Sequence, residues 1–162
     1  MNIFYLDDDP KIAASFHCDK HCVKMILESA QMLSTAHRVL DGDEVATSKH
    51  LYKTVSKNHP CTIWTRTNSE NYEWLWKLYD NLMKEYTRRY GKHHASEQLT
   101  HALWEFPGNI SHGDFTDPPQ CMPDEYKVEN DTVQAFHNYY HGEKAHFAEW
   151  RLGEPCWWKG KV

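Results

Sequence analysis

Asp19-Lys20-His21-Cys22-Val23-Lys24-Met25-Ile26-Leu27-Glu28 sets a histidine and a glutamate seven residues apart in a stretch that reads as an amphipathic helix. Seven residues is close to two helical turns, so both side chains stand on one face. Extended to Leu40, the helix carries an apolar stripe of Val23, Ile26, Leu27, Ala30, Leu33 and Leu40, which accounts for burial without His21 or Glu28. The remaining ridge is His17, His21, Lys24, Glu28, Gln31 and Thr35. It is either an ordinary solvated face or a functional one. Its members are mostly titratable or bidentate types, close to the N-terminal amine.

Outward from this stretch the pattern stays helical. Asp8 or Asp9 before Pro10 predicts a helix start, and the helical pattern then runs to about Leu40, broken near Cys18 and ended by Asp41-Gly42-Asp43. Asn58-His59-Pro60 opens a second helical region. A further helix runs from Ser69 or Glu70 to Tyr90, with Leu75, Tyr79, Leu82 and Tyr86 on one face, Thr67 and Glu70 at capping-box spacing, and Gly91 as its stop. A shorter helix is expected from about Ser96 to Phe106. Residues 107–130 hold Pro107, Pro118, Pro119 and Pro123 and are expected to lack regular structure; a loop this long is often functional or wrapped over the surface. Asp131 caps a last helix carrying Val133, Phe136, Tyr140, Phe147 and Trp150 and stopping at Gly153-Glu154-Pro155. No stretch alternates as a strand does, and no repeat or linker interrupts the chain. The expected fold is all-α: a single helical domain over residues 1–162, with about four to five helices and long irregular connections.

At 162 residues such a domain buries roughly 70% of its unfolded surface and needs neither metal nor disulfide to fold. No apolar run approaches the roughly eighteen residues that cross a bilayer, so no membrane partner is expected. Five cysteines, an odd number, and a start lacking a basic lead and a small-residue cleavage site suggest free thiols in a reducing, cytoplasmic setting. The net charge of −5 argues against a general nucleic-acid binder. That average hides an asymmetry: residues 49–92 hold nine basic residues against four acidic ones, a balance of +5 that leaves the rest at −10. A basic sector suits a phosphate-bearing partner, or is plain solubilising charge.

Two clusters carry candidate chemistry. His17-Cys18-x-x-His21-Cys22 has the residue types of a zinc site, but its two i, i+4 pairs are rotated by about 100° around a helix and do not converge on one ion. The bland reading is small buried thiols beside polar histidines; a two-ligand site completed by His59, Cys61, His93, His94 or Cys156 stays open. A Cys18 or Cys22 nucleophile lacks a nameable orienting group. There is no phosphate-cradling glycine loop, dinucleotide fingerprint or serine elbow. At the C-terminus, Trp150-Arg151 and Cys156-Trp157-Trp158-Lys159 interleave rings with cations, which suits stacking on bases or simply pins the terminus to the core.

Together these pieces resemble the pyrimidine-dimer DNA glycosylases of the phage endonuclease V type. The resemblance is carried by Asp19-x-His21 with Glu28 on the first long helix, by Asn58-His59-Pro60, and by Pro155-x-Trp157-Trp158-Lys159. It implies a single, mostly helical domain that cleaves the N-glycosidic bond of a damaged base and then nicks the backbone by β-elimination. The nucleophile would be the N-terminal amine, here that of Met1, with Glu28 as catalytic partner and His21 two turns before it. The chemistry stands on its own as well: an α-amine of pKa near 7.7 to 8.0 is about 10% unprotonated at pH 7, a lysine only about 0.04%. The substrate-facing set expected beside these is Asn2, His17, Lys24, Gln31, His59, Arg66, Trp157, Trp158 and Lys159. No cofactor or metal is expected. The partner would be damaged or abasic DNA or a nucleotide, met by a monomer in the cytoplasm, the host's if the chain is phage-encoded. Where the family carries arginines beside the glutamate and near the terminus, this chain has Leu27, Gln31 and Ile3, and Asn2 is bulky for removal of Met1. Two other functions remain open: a metal-dependent hydrolase using His17, His21 and Glu28, with His17, Cys18, His21 and Cys22 as the alternative ligand set, and a non-catalytic DNA-binding accessory protein.

Overall fold

Asp9 accepts a hydrogen bond from Lys11 N and Pro10 takes the first helical position, which starts α1 (Pro10–Phe16) in the computed structural model, which describes residues 1–160. His17 and Cys18 leave the helical conformation, and the chain restarts as α2 (Asp19–Asp41), so the break falls where the pattern places it. Gly42, at φ 93°, ends α2 and also admits a short helix, α3 (Asp43–Ser48), that periodicity does not reveal. α4 (Pro60–Thr67) starts with proline behind His59, whose ring accepts from Cys61 N. α5 (Ser69–Tyr90) is capped by Asn68 accepting from Asn71 N, not by the expected Thr67, and Gly91 closes it in the left-handed conformation.

The expected helix near residues 96–106 divides into a 3-10 turn, Ala95–Leu99, and α6 (Thr100–Trp104). The proline-rich stretch is irregular apart from one 3-10 turn, Asp124–Tyr126. Asp131 caps α7 (Thr132–Tyr139) as expected, but α7 stops earlier than the apolar spacing suggests. A π-helical turn, Tyr140–Lys144, follows, and the register of Phe147 and Trp150 is lost. The all-α class holds: no strand occurs among the described residues, and the extra helices are short ones. No helix among them is long and apolar enough to cross a membrane.

α2 and α5 form the centre, with α1 and α4 packed across them. Their facing residues, Ile26, Ala30 and Leu33 on α2 and Leu75, Leu78 and Leu82 on α5, are fully enclosed. The buried arc of α2 is wider than its apolar stripe. His21, Thr35 and His37 are also buried, as is His17 just before the helix, while Leu27 stands 41% exposed. For His17 and His21 the cause is a further packing partner: residues 3–6, Ile-Phe-Tyr-Leu, run through the core with every side chain buried and Phe4 lies against both rings, whereas Thr35 meets Val55 and His37 meets Tyr72 of α5. Phe4 stacks on the His21 ring at 4.2 Å.

Candidate functional site

Burial of residues 3–6 fixes where the chain begins. The Met1 amine lies 3.3 Å from Glu28 Oε1, and the Glu28 carboxylate also meets Lys24 Nζ at 3.8 Å across one helical turn. Asn2 is tied down on both sides: its Nδ2 donates to Cys121 O at 2.9 Å, and its Oδ1 accepts from Ile3 N. Met1, Asn2, Phe4, His21, Lys24 and Glu28 share one small cavity of about 140 Å³ with Met25, Tyr139 and Lys144. Five residues expected at the site (Met1, Asn2, His21, Lys24 and Glu28) therefore converge.

His21 is held from behind. Its Nδ1 lies 2.7 Å from the Tyr140 hydroxyl, which also accepts from Cys18 N at 3.3 Å. Burial pushes the Tyr140 pKa well up, so the phenol keeps its proton and shares a hydrogen bond with His21 Nδ1. Burial also drives the His21 pKa down to about 2, with His17, Lys144, Lys24 and Lys20 acting in the same direction. The ring is neutral at any working pH and serves as a polar wall. It is not a proton donor that titrates near neutrality.

His59 lies close enough to feel both members of the pair. Burial and the terminal amine lower its pKa, and Glu28 opposes them. Other expected residues stand elsewhere. His17 is a correction: it is completely buried, bonded through Nδ1 to Ala13 O, with Nε2 enclosed and unpartnered, because α1 ends directly over it. Gln31 is half-buried one turn past Glu28 and does not line the cavity. Arg66 is also outside it and is engaged with Lys57 O.

Trp157 and Trp158 correct a second expectation. Trp157 stacks on His137 at 3.9 Å and Trp158 on His141 at 4.6 Å, and both pack against Trp150, so one face of each ring is taken up in pinning the terminus. Lys159 keeps an exposed side chain while its N–H donates to His141 Nε2. The set His17, Cys18, His21 and Cys22 is not gathered. Cys22 Sγ points to Leu82 O and Cys18 is enclosed. Among the described residues the metal-ligating side chains that meet are His59, Cys61 and Cys121.

Sequence reasoning missed Phe4, Met25, Tyr139, Lys144 and Tyr140. The last three come from α7 and its π-helical turn, roughly 120 residues from α2, and no local pattern signals that approach. A larger groove of about 830 Å³, between Trp76 and Met83 of α5 and Trp104 of α6, is open and brings none of the amine, carboxylate or imidazole groups together.

Fold and site together define a class: an all-helical protein whose own terminal amine is paired with a helix carboxylate inside a pocket edged by lysines. The pyrimidine dimer DNA glycosylase family model matches residues 1–98, more than half of the 162-residue chain, and the chain belongs to that family. The matched segment contains Met1, His21, Glu28 and His59; the residues after 98 complete the pocket. No curated protein and no solved structure matches the chain.

Proposed function

We propose that this protein is a DNA glycosylase with abasic-site lyase activity that works through an imine between the Met1 amine and a deoxyribose. The observation that carries the reading is the 3.3 Å approach of the amine to Glu28 in a pocket with room for a sugar. Glu28 takes a proton from the amine, whose lone pair attacks C1′ as the base departs with the glycosidic electron pair. The C1′–O4′ bond then opens to give the protonated imine. Loss of a C2′ proton expels the 3′ phosphate, and water releases the sugar. Glu28 is placed to stabilise the developing positive charge and to carry these protons. The damaged nucleotide must leave the stack, because C1′ is hidden in the duplex. Its flanking phosphates would meet Lys24 and Lys144 at the rim. A pyrimidine dimer is the lesion for which the family is named, and the setting is taken as reducing and cytoplasmic, with the chain acting as a monomer.

Incubation with an abasic oligonucleotide and borohydride tests this. The expected product is a covalent adduct mapped by peptide mass to Met1, and Glu28→Gln should slow its formation by about 10²- to 10⁴-fold. No adduct at any amine, or an adduct on a lysine unaffected by Glu28→Gln, rejects the proposal.

A further inference from the structure

Beside the pocket, a second set of side chains has a geometry the glycosylase reading does not use. Cys61, fully buried at the start of α4, and Cys121, in the irregular stretch, bring their sulfurs to 3.6 Å. These two sulfurs and a ring nitrogen of His59 all lie within 4.8 Å of one another. Asn2 Oδ1 is 3.7 Å from Cys61 Sγ. For zinc–sulfur bonds of about 2.3 Å at the tetrahedral angle, two thiolates on one ion stand about 3.8 Å apart, and a thiolate and an imidazole nitrogen about 3.6 Å. The cluster thus has the donor types of a Cys₂His site, and its sulfur spacing is within a few tenths of an ångström of one.

We propose that His59, Cys61 and Cys121 form a structural zinc site, with Asn2 Oδ1 as the nearest fourth donor, that clamps residue 2 between α4 and the proline-rich stretch. Binding Zn²⁺ releases one proton from each thiol. The resulting site, two thiolates and a neutral imidazole around a doubly charged ion, carries no net charge, so it fixes the terminal segment without adding a field at the amine. His59 Nδ1 now accepts from Cys61 N at 3.1 Å. Ligation through Nε2 would keep that cap, and ligation through Nδ1 would cost it, a loss that the binding free energy of a structural zinc exceeds several-fold. The sequence hides the site because its cysteines are 60 residues apart.

The test uses full-length protein purified under reducing conditions, loaded with zinc alone and dialysed against a weak chelator. Elemental analysis should then find one zinc per chain in the wild type and in Cys156→Ser, and none in Cys61→Ser or Cys121→Ser. Cobalt in place of zinc should give a thiolate charge-transfer band and the intense visible bands of a tetrahedral ion, both lost in Cys121→Ser. Zinc that dialyses out of the wild type overturns the proposal, as does zinc retained by both cysteine variants or an intact mass showing Cys61 and Cys121 joined as a disulfide under reducing conditions. Cys121 is partly exposed, so its serine variant should fold, and a native circular dichroism spectrum for it makes metal loss interpretable. None of these readouts depends on glycosylase activity.

Discussion

Lowering the pH from 7.5 to 5.0 should remove a large part of this protein's stability, through three histidines buried in neutral form. Burial holds His17 and His37 at pKa values of about 4 and His21 at about 2, against 6.5 for the free side chain. The geometry agrees with neutral rings. His17 donates through Nδ1 to Ala13 O while Nε2 is enclosed without a partner, so a second proton there would sit unsatisfied in the core. Tyr72 gives its proton to Leu103 O and so accepts from His37 Nε2. A histidine with a depressed folded pKa leaves the unfolded chain binding more protons, so its contribution is fully present above pH 6.5 and is lost as pH falls below it. At about 1.4 kcal/mol per pH unit, each of the three costs about 2 kcal/mol at pH 5.0, together about 6 kcal/mol. That is comparable to the whole stability of many domains, about 5–15 kcal/mol. The lowered values at His59, His94 and His137 act with the same sign. Carboxylates titrate mostly below this window. Urea unfolding at pH 7.5, 6.0 and 5.0 should show the midpoint falling by about 2 M or more overall, with His37→Gln showing a shallower dependence. A free energy constant to within about 1 kcal/mol between pH 7.5 and 5.0 would refute the reasoning, and with it the neutral state of His21 in the pocket.

Arg89 joins three segments from the interior, donating to Ser15 O and His17 O and pairing with Asp19 Oδ1 and Glu85 Oε1. Arg89→Met leaves Ser15 O and His17 O without this donor and Asp19 without its ion pair, Glu85 keeping Arg88, and should cost about 3 kcal/mol in denaturant unfolding; Arg89→Lys should recover little, since an ammonium cannot reproduce the fork. Tyr140→Phe removes the hydroxyl that reaches both His21 Nδ1 and Cys18 N. A loss of about 1–3 kcal/mol is expected, with an unchanged midpoint counting against the bond.

The long helices were legible because their signals are local. Proline at the first helical position, Asp9 and Asp131 as caps and Gly91 as a stop are each read within four residues, and each forms as read. α3 was hidden because Gly42 serves as the end of one helix and the start of the next. The end of α7 was misread because the π-helical turn adds a residue to the repeat and shifts the face on which later side chains stand. The structure brings the amine, His21 and Glu28 together, since two of them share a helix face and the third is anchored by the apolar residues that follow it. The fate of His17 was not legible, because what encloses it is the end of α1 and the Phe4 ring, and periodicity describes one helix at a time. For the same reason the tryptophans at the C-terminus read equally well as platforms for bases or as packing until His137 and His141 are found beneath them.

The same burial explains how a family of DNA enzymes admits Ile3 where the resemblance leads one to expect an arginine. Ile3 is 1% exposed, and with Phe4 and Leu6 it contributes on the order of 6 kcal/mol of apolar burial to holding the first residues in place. A guanidinium at position 3 would enter that core unpaired, at a cost comparable to what the segment gains. Positive charge for phosphates has to come from neighbours that reach solvent while their stems pack on the pocket. Lys24, one turn before Glu28, and Lys144, delivered by the π-helical turn, are so placed. In the proposed reaction this separates two tasks that one arginine near the terminus would combine. Apolar residues position the amine, and lysines on two different helical elements meet the backbone. The carboxylate stays within reach of both the amine and Lys24.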